Sequence, residues 1–340
     1  MPTKEDLKYF QSMPLDIKVA MTKTRIREWV NYFGESGVYV SFSGGKDSTV
    51  LLHLVRELYP DVPAVFVNTG LEWPEIQKFI RRFDNVKILT PKMNFNQVIS
   101  KYGYPVLSKD LSGKISAARR GQKWALQYFE GTALYKGEIS GFNIERYRPL
   151  LSVDFLISNR CCDVMKKHPV HEYEKETDKK PMVATMAEES KLRLQAWMKN
   201  GCNSFEAGKK IVSKPMSFWT EQDVLKYINE NNLPLAEPYG EIIPVNGQLM
   251  FDGMDCELCT TGQKRTGCVY CAYGAHLEKG ESRFERLKRA HPKIYNYCIG
   301  GGNYDIDGLW KPDKRGLGMG HVFDELNKLY SKGGKPFIDY

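Results

Sequence analysis

Short β-branched runs alternate with amphipathic helical runs from residue 37 to residue 91, and this alternation restricts the fold more than any other feature of the chain. "GVYVSFS", "AVFVNTG" and "NVKILTP" have strand character. Between them "STVLLHLVRELY" and "WPEIQKFIRRF" place apolar residues three and four apart, as a helix buried on one side does. A helix between consecutive strands carries the chain back across a sheet face, so neighbouring strands run parallel and both faces are covered. The expected class is therefore α/β, with a doubly wound, mainly parallel sheet. "PMVATMA" supplies a further strand and "EESKLRLQAWMK" a helix. In "WTEQDVLKYINENN" Thr220 is the N-cap and Asp223 sits near the positive end of the helix dipole. Residues 100–180 are less regular.

At 340 residues the chain can bury one large core or two modest ones. Composition suggests a helical segment over 1–35, the sheet domain over 36–240, and a smaller module over 241–340 that is rich in glycine and cysteine. That module has one helix, "ESRFERLKRAHPKIYNY". No apolar run approaches the roughly 20 residues of a membrane span. The opening "MPTKEDLKYFQSMPLDIK" lacks the apolar segment and cleavage site of a signal peptide, so the expected location is cytoplasmic. A net charge of +8 permits a polyanionic partner without requiring one. In the densest basic stretch, "SKDLSGKISAARRGQK", Lys109, Lys114, Arg119, Arg120 and Lys123 face Asp110 alone. It reads either as a flexible solvated loop or as a nucleic-acid contact.

The turn "SGGKDS", residues 43–48, lies between the first strand and its helix, where an open parallel sheet presents bare amides and a helix N-terminus to phosphate. Gly44 and Gly45 allow close backbone approach, Lys46 adds a positive charge, and Ser43 and Ser48 add hydroxyls. The spacing is wrong for the kinase-type phosphate loop, and the dinucleotide fingerprint is absent. Asp47 is an unusual neighbour for phosphate unless Mg²⁺ intervenes, so it is assigned to metal or to ordering the loop.

Ser-Gly-Gly-Lys-Asp-Ser resembles the pyrophosphate loop (PP-loop) of the adenine nucleotide α-hydrolase superfamily, whose members cleave ATP between the α and β phosphates. "VFVNTGLEWPEI", "MAEESKLR" and "KPMSFWTEQDVLKYINENNLPLAEPYG" extend the resemblance to one branch, the phosphoadenosine phosphosulfate (PAPS) reductase family. It implies a Rossmann-like sheet of that type and an adenine nucleotide, ATP or APS (adenylylsulfate) or PAPS, held by Ser41, Ser43, Gly44, Gly45, Lys46, Asp47 and Ser48. Asn68, Thr69 and Gly70, and then Glu189, Ser190 and Arg193, would lie beside it. Lys46 and Asp47 are the candidate catalytic pair. Trp219 and Val224 read better as core, and Arg193 reads equally as a surface helix residue.

Eight cysteines in a chain expected in a reducing compartment argue against a disulfide framework and, where clustered, suggest metal. "NRCCDVMKKHPV" and "RTGCVYCAYG" resemble the tandem and C-x-x-C pairs that hold a 4Fe-4S cluster in APS reductases, which implies Cys161, Cys162, Cys268 and Cys271 as ligands. Cys256 and Cys259 leave alternatives open: a zinc site with Cys268 and Cys271, a persulfide carrier, a redox pair or spare thiols. Cys202 and Cys298 read as small hydrophobes. His168, His171, His276 and His291 read as structural, and none is nominated as a base.

Reductases of the resembled family attack sulfur with a cysteine in a Glu-Cys-Gly-Leu-His tail, a context that "KLYSKGGKPFIDY" does not match. A complete loop with a cluster resembles instead the ATP-dependent thiolation enzymes. The expectation is adenylation coupled to sulfur transfer, with the sulfur donor open and a nucleic acid among the acceptors considered. Reduction of APS or PAPS to sulfite, and a nucleotide-binding cluster protein without turnover, are the alternatives.

Overall fold

The computed structural model describes residues 2–206, 210–245 and 256–340. Residues 246–255, within the module expected from 241 onward, lie outside the described residues. The central sheet has six strands: β1 (Val38–Ser41), β2 (Ala64–Val67), β3 (Val86–Leu89), β4 (Lys180–Met182), β5 (Asn203–Ser204) and β6 (Val212–Ser213). Their order is β3-β2-β1-β4-β6-β5, and every pairing is parallel except that of β5 with β6. Val38, Tyr39 and Val40 are all buried, the continuous burial that a central parallel strand requires. The edge strand β3 has exposed Lys87 and Ile88.

Strand order reverses at β1. The chain proceeds from β1 to β2 and β3 on one side, whereas β4 joins β1 on the other with Val40 opposite Met182. Loops leaving β1 and β4 therefore diverge, and such a switch point opens a crevice at the strand ends. The helix Lys46–Leu58 follows β1 and buries Val50, Leu51, Leu52, Leu54 and Val55 against the sheet.

The chain divides into two compact units, each built from three segments. The first holds the sheet and comprises Met1–Asn68, Glu72–Thr90 and Val170–Thr266. Of its N-terminal helices, Lys4–Gln11 contributes buried Leu7 and Leu15–Phe33 contributes fully buried Ile26 and Trp29 to the core. The second unit comprises Thr69–Leu71, Pro91–Pro169 and Gly267–Tyr340. It is mainly helical, with two-stranded pairings such as Val106–Leu107 beside Ala272–Tyr273.

Two expectations are corrected in the second unit. The basic stretch from 108 is not a flexible loop: Ser108 caps a helix, Lys109–Arg119, that buries Leu111, Ile115, Ala117 and Ala118. The single helix expected over 281–297 is two, Arg283–Ala290 and Pro292–Ile299. Proline disfavours the helical conformation at the residue before it, and His291 accordingly leaves the helix at φ −139° and ψ 69°.

Candidate nucleotide and cluster sites

Glycine is required twice in the loop after β1. Gly44 has φ 71°, and a Cβ there would stand 2.9 Å from Ile76 and 3.0 Å from Ile80. Gly45 is the N-cap of Lys46–Leu58, and a Cβ there would meet the Ser43 and Tyr239 hydroxyls at 3.2 Å. The Ser43 amide donates to Ser48 Oγ at 3.2 Å, and Ser48 Oγ donates to the Gly45 carbonyl at 2.9 Å. These bonds shape the turn and leave the first helical amides directed outward.

Lys46 is only 4% exposed, and its ammonium has partners. It donates to Glu221 Oε1 at 2.5 Å and to the Lys264 carbonyl at 2.8 Å, and it lies 5.7 Å from the centre of the Tyr239 ring. The segment supplying Lys264 is fixed to its neighbour: the Gly262 amide donates to the Tyr239 carbonyl at 2.9 Å and the Gln263 amide to the Pro238 carbonyl at 2.7 Å. Asp47 is held differently. Its Oδ1 is buried and has no hydrogen-bond partner. Burial raises its carboxyl pKa above the ordinary range, opposed by the charges of Lys46, Arg265 and Arg193.

Glu189 ends the 3-10 turn Ala187–Glu189, Ser190 is the N-cap of the helix Lys191–Asn200, and Arg193 lies in that helix's first turn. Glu189 accepts from the Met186 amide at 3.0 Å, pairs with Arg193, and lies 3.6 Å from Arg265. Glu188 accepts from the Glu221 amide at 2.7 Å, and burial raises its pKa. The first unit thus contains Ser41, Ser43 to Ser48, Asn68, Glu189 and Arg193, whereas Thr69 and Gly70 belong to the second. Sequence reasoning missed Glu188, Glu221, Tyr239, Lys264 and Arg265. An acid beside the Thr220 cap and the paired cations of "QKRTG" were the available signals.

Cys161, Cys162, Cys268 and Cys271 line one cavity of the second unit, together with apolar Leu71, Phe95, Pro105 and Met165. The tandem pair begins a helix that passes through a π-helical turn, Asp163–Lys167. The Cys161 thiol donates to Cys162 at 3.9 Å. That bond, aided by Lys109 and Lys166, holds the Cys162 thiol below its ordinary pKa, while burial raises Cys271 to about 11. Among the described residues no three His, Cys, Asp or Glu side chains are grouped to hold a single metal ion. Cys259 lies instead on the strand Leu258–Thr260 of the first unit. Cys298 is buried beside Met319, and Cys202 accepts from the Ser217 hydroxyl.

A mainly parallel sheet with this loop after its central strand defines a PP-loop fold of the adenine nucleotide α-hydrolase superfamily. The chain belongs to the phosphoadenosine phosphosulfate reductase domain family, whose profile matches residues 37–110 and 115–272. An adenosine 5'-phosphosulfate reductase from Lysinibacillus sphaericus is 27% identical over 228 residues, 67% of this chain and 75% of the relative. Among solved structures, the PAPS reductase of Candida auris in its phosphate complex aligns with TM-score 0.38 and 14% identity over 70% of this chain and 91% of that one. The U34-tRNA thiolase NcsA of Methanococcus maripaludis, with its 4Fe-4S cluster, aligns with TM-score 0.33 and 16% identity over 69% of each chain.

Proposed function

We propose that the chain binds ATP in the loop Ser43–Ser48 and promotes attack of an acceptor oxygen on the α-phosphate, with sulfur transfer following. The observation that carries this reading is the buried, unpartnered Oδ1 of Asp47 beside Lys46. A buried carboxylate oxygen is unfavourable without a donor or a cation. Mg²⁺ typically takes one or two carboxylates and completes its shell with substrate phosphates and water. Asp47 therefore suits Mg²⁺ on a triphosphate, and a nucleotide lacking the β and γ phosphates offers less to hold the ion there. When bound, the ion neutralises charge on the departing pyrophosphate.

The remaining work falls to the chain. Lys46 and the amides that open its helix stabilise charge on the transferring phosphorus and on pyrophosphate as the α–β bridge breaks. A sulfur nucleophile then displaces AMP together with the acceptor's former oxygen. Four thiols lining one cavity, Cys161, Cys162, Cys268 and Cys271, fit the donor set of a 4Fe-4S cluster. Such a cluster supplies either a Lewis-acidic iron for incoming sulfide or a staple for the second unit.

A second reading, reduction of APS or PAPS, is favoured by the relatives named as reductases. The test is incubation of anaerobically purified protein with ATP, APS and PAPS separately, with calorimetric titration of each nucleotide and assay of AMP, pyrophosphate and sulfite. Magnesium-dependent binding of ATP, with no sulfite from either phosphosulfate, is expected. Sulfite would replace the proposal by the second reading, and failure to bind any nucleotide would remove both.

A further inference from the structure

Residues 120–148 of the second unit expose apolar and cationic side chains together. The strands Leu134–Tyr135 and Glu138–Ile139 form a hairpin in which Leu134 is 63%, Tyr135 60% and Ile139 74% exposed. Phe142 just beyond is 70% exposed, and Trp124 on the preceding helix is 52% exposed. This presentation is built, because Lys136 and Gly137 occupy the turn at φ 54° and 88°, as a tight hairpin turn requires. The Ser140 amide donates to the Ala133 carbonyl at 2.8 Å, the Ile144 amide to the Tyr128 carbonyl at 2.8 Å, and Asn143 Nδ2 to the Gly131 carbonyl at 2.9 Å. The register sets Leu134 beside Ile139 on one face of the hairpin and Tyr135 beside Glu138 on the other, so large exposed side chains stand on both faces of a pinned hairpin, as on a binding element that a flexible chain can wrap.

The charges identify the partner's chemistry. Upstream, Lys114 is paired with Asp110 and Arg119 is spent on backbone carbonyls such as Leu151 O at 3.0 Å. By contrast Arg120, Lys123, Lys136, Arg146 and Arg148 are exposed, and none makes an ion pair with a described residue. Glu130, Glu138 and Glu145 are the opposing acids of this stretch, so cations exceed them. Lys136 lies 5.7 Å from the centre of the exposed Tyr135 ring, whereas Arg146 lies over the buried Tyr147 ring and donates to its hydroxyl. Protein interfaces deplete charge at their apolar centre, whereas unpaired nucleic acid wants aromatic faces for its bases and cations for its phosphates.

We propose that the hairpin Leu134–Ile139, with Trp124, Phe142 and the cations around them, binds an unpaired stretch of nucleic acid. The inference adds the acceptor class to the function proposed above and rests on that reading only for what happens to the bound strand. The test is fluorescence anisotropy of the full-length protein without ATP, using one labelled 20-nucleotide sequence as single-stranded RNA, single-stranded DNA and duplex DNA. At least one single strand should bind more tightly than the duplex. Tyr135→Ala with Phe142→Ala should weaken that binding by about tenfold, the loss of about one stacked base. Lys136→Glu with Arg148→Glu should lower the salt slope by about 1.4, for two phosphates at about 0.7 each.

Both pairs lie on the exposed surface, and unchanged thermal melting would show that they fold. Absence of binding, indifference to the aromatic pair, or a dimer that the aromatic pair dissociates in sedimentation would each overturn the proposal, the last in favour of a self-interface. Lys46→Ala separates the two readings: it should abolish ATP binding and leave oligonucleotide binding intact.

Discussion

Lys46 and Asp47 are adjacent in the loop yet oppositely provided for: the ammonium has a carboxylate and a carbonyl, and the acid has a buried oxygen with no partner. A phosphate entering the loop must take Lys46 from Glu221, so Glu221→Gln should tighten ATP binding by about tenfold, equivalent to about 1.4 kcal/mol. Calorimetry would show it, and weaker binding would mean that Glu221 instead orients the lysine for the nucleotide. Asp47 carries the pH dependence. Burial raises its folded-state pKa, so its contribution to stability is fully present below the ordinary carboxylate value and is lost as pH rises through the raised one. Asp47→Asn should therefore melt higher than the parent at neutral pH, by about 2 °C for about 1 kcal/mol, with the difference vanishing in acid. The same substitution should remove the magnesium dependence of ATP affinity. In the parent that affinity should fall as acidification protonates Asp47.

At the level of the element, the helix Glu221–Glu230 combines what a sequence discloses with what it conceals. Thr220 and Asp223 form the capping box that their spacing announces: the Asp223 amide donates to Thr220 Oγ1 at 3.2 Å and the Thr220 amide to Asp223 Oδ2 at 2.7 Å. Nothing local discloses Lys18, 205 residues away, whose buried ammonium donates to both oxygens of Asp223 at 2.8 Å. Asp223→Ala should remove the carboxylate that accepts from the Thr220 amide, worth about 1 kcal/mol, and strand a buried cation, worth about 3 kcal/mol more, while Thr220 Oγ1 still caps the helix. In urea unfolding, adding Lys18→Met should recover most of the second loss, and an unchanged midpoint would refute the coupling. The strands and helices of residues 37–91 were legible because each carries its own period. The helix Lys109–Arg119 was obscured by Gly113, which reads as a turn but reflects packing: a Cβ there would stand 2.5 Å from the Asn159 amide.

Chain order and spatial order diverge most at the scale of the whole molecule. "VFVNTGLEWPEI" is one motif in sequence, yet Thr69–Leu71 belongs to the second unit and the residues on either side to the first. A boundary at 240, drawn from composition, has no access to such interleaving, because composition averages over neighbours and compactness joins distant segments. The thiols obey the same logic. Cys256-x-x-Cys259 and Cys268-x-x-Cys271 are close in sequence, but the first pair lies in the sheet-bearing unit, and the second shares its cavity with Cys161 and Cys162 about a hundred residues upstream. A cluster on those four would close that long excursion, and because thiolate binding to metal contributes to folding, its loss should be felt as stability. Protein purified without oxygen should therefore contain iron and sulfide in the parent and in Cys256→Ser and Cys259→Ser. Cys161→Ser and Cys268→Ser should lose both and melt lower, while the first unit retains its affinity for ATP. Iron retained in Cys268→Ser, or lost in Cys259→Ser, would move the ligand set to the other pair and with it the staple.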